Sequence, residues 1–181
     1  MLTDEHRRQL LSLARTTIEC ALEGCYDVPE EAAFHETLCR PAGTFVTLRT
    51  HSGDLRGCIG SILPREALYR AVHSSALSAA FRDPRFRPVR REELGSLLIE
   101  ISVMGPIERV SVFEDVMVGR DGLIVSRGRY AGLLLPQVAT EYGWDRDTFL
   151  DQTCVKAGLS PGVWREPATV IEKFSAEVFG E

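Results

Sequence analysis

The chain has 181 residues, of which 44% are hydrophobic and 26% charged, and a formal net charge of −5. This suits one globular domain with a sizeable core and excludes a disordered, fibrous or coiled-coil chain. The acidic balance opposes general adhesion to nucleic acid or acidic membrane, no apolar run is long enough to span a bilayer, and Met1 to Arg8 has neither signal nor transit character, so a cytoplasmic protein is expected.

Thr3, followed by Asp4 and Glu5, predicts a helix start. Leu10, Ala14, Ile18, Ala21, Leu22 and Cys25 then recur at helical spacing, with Gly24 as a stop. Residues 29–43 read as irregular or as a short helix. Thr44 to Gly60 reads as a β-hairpin turning at Ser52-Gly53. Strict alternation puts Val46, Leu48, Leu55 and Ile59 on its core face and Thr47, Arg49, Arg56 and Cys58 on the other. Pro64 is placed to open a helix ending near Asp83-Pro84, with Ala71, Ser75 and Ala79 as a small-residue packing face.

Leu97 to Val103 predicts a buried strand, and Asp121 to Leu135 a second hairpin around Gly128. Pro136 starts a short helix to about Tyr142, and another covers Asp147 to Ala157 with Gly158 beyond it. Residues 168–174 and 176–179 are late strands. The fold class expected is α+β with a largely antiparallel sheet, within one domain over residues 1–181.

Five cysteines, an odd number with no Cys-x-x-Cys pair, argue against a disulfide framework and a structural zinc site. No P-loop or dinucleotide fingerprint is present, and no cofactor is expected. The most reactive position is Cys58 in Leu55-Arg56-Gly57-Cys58-Ile59-Gly60. There Arg56, with Arg49 diagonal across the hairpin, would favour a thiolate or hold an anion. The other reading of Cys58 is a small side chain tucked under a helix. His6, His35, His51 and His73 offer no supported base for a hydrolase triad.

The segment Ala80 to Arg91 packs five arginines, Arg82, Arg85 and Arg87 among them, around Phe81 and Phe86. It suits a phosphate or a nucleic-acid base, or else its arginines pair with acids such as Asp83 and Glu93. Gln137 and Trp144, near Asp121-Gly122, are candidates for a polar pocket with one stacking wall, the alternative being plain turn and corner chemistry.

Leu55 to Gly60, Ala79-Ala80-Phe81-Arg82-Asp83-Pro84-Arg85-Phe86, Asp121-Gly122-Leu123, Leu134 to Ala139 and Gly143-Trp144-Asp145 together resemble the AMMECR domain family. Its prokaryotic members are labelled AmmeMemoRadiSam system protein A. The resemblance implies a larger lobe, about 1–115 plus the C-terminal strands, and a smaller one, about 116–160, with the cysteine motif near the cleft between them. It also implies a pathway shared with a Memo-type protein and a radical S-adenosylmethionine protein, with nucleic-acid bases among the substrates. Two readings follow. In one, Cys58 and Arg56 are catalytic, with Thr47, Arg49, Gly57, Gly60, Arg82, Asp83, Arg85, Gln137 and Trp144 binding. In the other, the chain is a non-catalytic scaffold for a protein or RNA partner.

Overall fold

In the computed structural model, which describes residues 2–181, helix α1 covers Asp4–Leu22 and Thr3 caps it, its hydroxyl accepting from the His6 amide at 3.2 Å. Gly24 beyond it takes the left-handed conformation at φ 85°, so Cys25 leaves the helical face and is exposed. The chain divides into two units. The first runs to Met104 and takes in Glu177–Glu181, and the second is Gly105–Ala176.

In the first unit, residues 29–43 hold only two 3-10 turns. Strands β1 (Thr44–Thr50) and β2 (Leu55–Ser61) form the expected hairpin. Helix α2 (Leu68–Phe81), the single turn α3 (Arg91–Leu94) and strand β3 (Leu97–Met104) follow, and β1 lies between β2 and β3 in antiparallel register. Pro64 does not open α2. The Leu68 amide donates to the Arg40 carbonyl at 3.0 Å and Pro41 bridges Ala67, which keeps the preceding residues extended. One apolar core joins Leu10, Ala14 and Ile18 of α1, Val46 and Leu48 of β1, Val72 and Ala76 of α2, and Ile99 and Ile101 of β3.

The strict alternation expected of the hairpin fails on one residue. Leu48 faces Gly57, but Arg49 faces Leu55, so Arg56 is the extra residue of a β-bulge. Leu55 therefore leaves the core and is 37% exposed, while Val46, Leu48 and Ile59 stay with it.

In the second unit, β4 (Glu108–Arg109), the hairpin β5 (Asp121–Arg127) and β6 (Tyr130–Leu134), α4 (Pro136–Glu141), α5 (Arg146–Lys156) and β7 (Val170–Gly180) surround a separate core of Leu123, Val125, Phe149, Leu150, Trp164 and Ile171. The indole N–H of Trp164 and the Gly162 amide both donate to Asp151 Oδ1 at 2.7 Å. The two late strands expected over 168–179 are one strand. Its early residues pair with β5, and its last residues belong to the first unit, where the Glu181 amide donates to the Ile99 carbonyl at 3.1 Å. The β1–β2, β1–β3, β4–β7, β5–β6 and β5–β7 ladders are all antiparallel, which makes the protein α+β with an antiparallel sheet. Among the described residues no helix is long and apolar enough to cross a membrane.

Candidate functional site

β2 is the edge strand of the first unit, so alternate backbone groups along it have no strand partner. At Cys58 they are taken by the loop after α2. There Asp83-Pro84-Arg85-Phe86 folds into a tight turn, with the Phe86 amide donating to the Asp83 carbonyl at 3.1 Å, and Pro84 presets the backbone for it. The turn sets the Asp83 side chain, 1% exposed, against the strand edge.

Asp83 Oδ2 accepts the Cys58 amide at 2.9 Å, and Oδ1 accepts the Arg85 amide at 3.1 Å. The Arg85 side chain closes the clamp, donating to Asp83 at 2.9 and 2.7 Å and to the Cys58 carbonyl at 3.2 Å. The Arg85 guanidinium, helped by the two amides, holds the Asp83 carboxyl far below the ordinary carboxylate range despite its burial. Asp83, and less strongly the Cys58 side chain, in turn raises Arg85.

The glycines flanking Cys58 are set by close approach. A Cβ on Gly57 would fall far inside contact distance of the Ala79 carbonyl of α2, and one on Gly60 would strike the Thr44 carbonyl and the Phe45 backbone. Gly57 thus takes the helix side, and alternation turns Cys58 away from it. The Cys58 thiol is half-buried, and Thr47 Oγ1 donates to its sulfur at 3.3 Å. Thr47 also pairs in register with Glu100 of β3, so a thiol, a hydroxyl and a carboxylate make one row across three strands. Glu100 escaped the sequence reading, although a lone acid inside the apolar run Leu97 to Val103 is the signal that marks it.

Arg56 goes elsewhere. Its guanidinium grips Glu93 of α3 through two bonds of 3.1 Å, which lowers the Glu93 carboxyl, and its buried Nη1 finds no partner among the described residues. Arg49 donates back to the Gly53 carbonyl of its own hairpin at 3.3 Å, and Arg82 is exposed without an ion pair among the described residues. The charges that reach Cys58 are therefore those of the Asp83–Arg85 ion pair, one on its amide and one on its carbonyl. Gln137 and Trp144 lie in the second unit, where Trp144 stacks on Tyr142 at 4.9 Å and packs on the core.

No histidine hydrogen-bonds Cys58 among the described residues. His6 and His35 serve local caps, His51 is exposed at the hairpin tip, and His73 is buried in α2, where desolvation pushes its imidazole below the ordinary value. Among the described residues there is also no cluster of side chains able to hold a metal ion.

A family model described as AMMECR1 matches residues 11–179. A protein of Pyrococcus furiosus is 43% identical over 187 residues, covering 98% of this chain and 89% of its own. One from Nanoarchaeum equitans is 41% identical over 179 residues, covering 95% and 98%. Among solved structures, the crystal structure of an uncharacterised protein from Pyrococcus horikoshii superposes with a TM-score of 0.88 at 41% identity, over 99% of this chain and 93% of that one.

Proposed function

The chain belongs to the AMMECR1 family, and on that footing we propose that it works through the Cys58 thiol, as a nucleophile or covalent carrier of a group in a modification pathway. One observation carries this reading. Both backbone polar groups of Cys58 are clamped by Asp83 and Arg85, while among the described residues its sulfur is left with only the Thr47 hydroxyl. A reactive atom on a rigid element with a locked supporting layer is the arrangement that chemistry requires. The Arg85 guanidinium donates to the Cys58 carbonyl, which sets a cationic group next to the thiol-bearing position. The pathway implied by the resemblance, with Memo-type and radical S-adenosylmethionine proteins as neighbours and nucleic-acid bases as substrates, suits such a carrier.

Thiol labelling tests it. A small alkylating reagent followed by peptide mapping is expected to modify half-buried Cys58 about tenfold faster than exposed Cys25, and Arg85→Gln is expected to remove most of that excess. Labelling that simply follows exposure, Cys25 first, would overturn the reading.

A scaffold for RNA is the second reading, and it rests on Arg82 and Arg87, exposed and free of ion pairs among the described residues. The patch is smaller than its sequence promises, because Arg85 is spent on Asp83 and Arg91 on Glu23. With Arg82, Arg87 and Arg90 left, single-stranded RNA should bind with a log–log salt slope of about −2. An unstructured oligonucleotide that fails to bind at low salt would remove this reading.

A further inference from the structure

Beside the thiol strand, on the opposite side of β2 from Cys58, the first unit holds a cavity of about 260 Å³ that none of the above uses. Its floor is the end of β2, at Ile59, Gly60 and Ser61, and its wall is the face of α2 carrying Ala71, Ser75 and Ser78. That face reads from sequence as small residues for close packing. Part of it instead borders open space.

Ser75 is 7% exposed and lines the cavity, yet its hydroxyl has no protein partner among the described residues. That oxygen is not sealed within the protein, so it stands open to bond a polar group that enters the cavity. The neighbouring polar groups are not equivalent to it. Thr44 already donates to the Ser102 carbonyl at 2.9 Å, and Ser74 to Glu66 Oε1 at 3.0 Å. The Ser78 hydroxyl, like that of Ser75, has no protein partner among the described residues.

Charge at the rim narrows the ligand. Arg65 lines the cavity and has no ion pair among the described residues, and Glu66 beside it keeps one carboxylate oxygen free. A guanidinium with two serine hydroxyls suits a carboxylate, and a carboxylate suits an ammonium. The volume lies near the lower end of small-molecule pockets, about 300 Å³, which is too small for a nucleotide or a folded partner to enter. We propose that this cavity binds a free α-amino acid, its carboxylate toward Arg65, Ser75 and Ser78 and its ammonium toward Glu66.

The proposal stands apart from the thiol reading, and its test is binding to the full chain followed by amide chemical shifts. L-Alanine and L-glutamine are the probes, with acetate and methylammonium as the separate halves. At least one amino acid is expected to give saturable shifts at Gly60, Ser75 and Ser78 below about 10 mM. Arg65→Ala and Glu66→Gln, both at exposed positions, should each weaken binding about tenfold. Ser78→Leu should fill the cavity and abolish binding, and Cys58→Ser should leave it unchanged. No saturable shift with either amino acid, equal binding of acetate alone, or indifference to Arg65→Ala would each overturn the proposal. Should Ser78→Leu fail to fold, the Arg65 and Glu66 variants decide it.

Discussion

Gly57→Ala is expected to cost about 4 kcal/mol or more and to lower the melting temperature of the protein by at least about 10 °C. The added methyl would lie against the Ala79 carbonyl, a backbone atom of α2, so no side chain can rotate away to admit it. Relief requires the helix to lift from β1 and β2, exposing Val46, Leu48, Val72 and Ala76, all fully buried. Gly95→Ala is the control. Gly95 follows α3 with φ −66° and ψ −15°, and an added Cβ meets nothing within 4 Å. That substitution should be neutral or stabilise by about 0.5 kcal/mol. Thermal unfolding of the two variants side by side checks the argument, and equal melting temperatures would refute it.

Asp83→Ala is expected to destabilise by about 3 kcal/mol, because it leaves the amides of Cys58 and Arg85 without their acceptor at a buried edge. Arg85→Ala should cost about 2 kcal/mol, since that side chain is 54% exposed and water replaces part of what it loses, while the buried Asp83 carboxylate keeps its two amide donors but loses its counter-charge. Hydrogen exchange separates a local effect from a global one. The Cys58 amide should lose protection in Asp83→Ala well before those of β1, and unchanged protection there would show that the clamp does not secure the strand. Acid should reproduce the variant only at an extreme. The folded Asp83 carboxyl titrates below its unfolded value of about 3.9, so its contribution is complete above that pH and disappears as pH falls through the depressed folded value. Mild acidification to about pH 5 should therefore leave the clamp intact.

The elements were legible where local chemistry sets them. Thr3 with Asp4 and Glu5 announces α1, Pro136 announces α4, and Gly158, at φ 77°, ends α5 as its position implies. The Asp83-Pro84 turn was equally visible. The bulge at Arg56 was not, because period-two alternation carries no mark of an inserted residue, and one insertion moved Leu55 from the core to solvent. Ion-pair partners were hidden for a related reason. Arg56 lies 37 residues from Glu93, and only the path of the chain between them decides that it grips this acid rather than tuning the thiol. The small-residue face of α2 packs closely as its sequence implies, with Ala71, Ser75 and Ala79 all buried, and only the surroundings of Ser75 show that part of that face also walls a cavity.

The last strand gives the chain an order of assembly. Residues Glu177–Glu181 belong to the unit that begins with α1, and Arg7 and Arg15 of that helix bind Glu177 and Glu181, partners 170 and 166 residues away. During synthesis the first unit can collapse early around α1 and the hairpin, but β3 waits for its neighbour until everything in between has been made. The thiol strand thus matures on a sheet that is finished last. Closing so long a loop slows the final step and leaves a β3 edge open meanwhile, a period in which the nascent protein is exposed to mispairing.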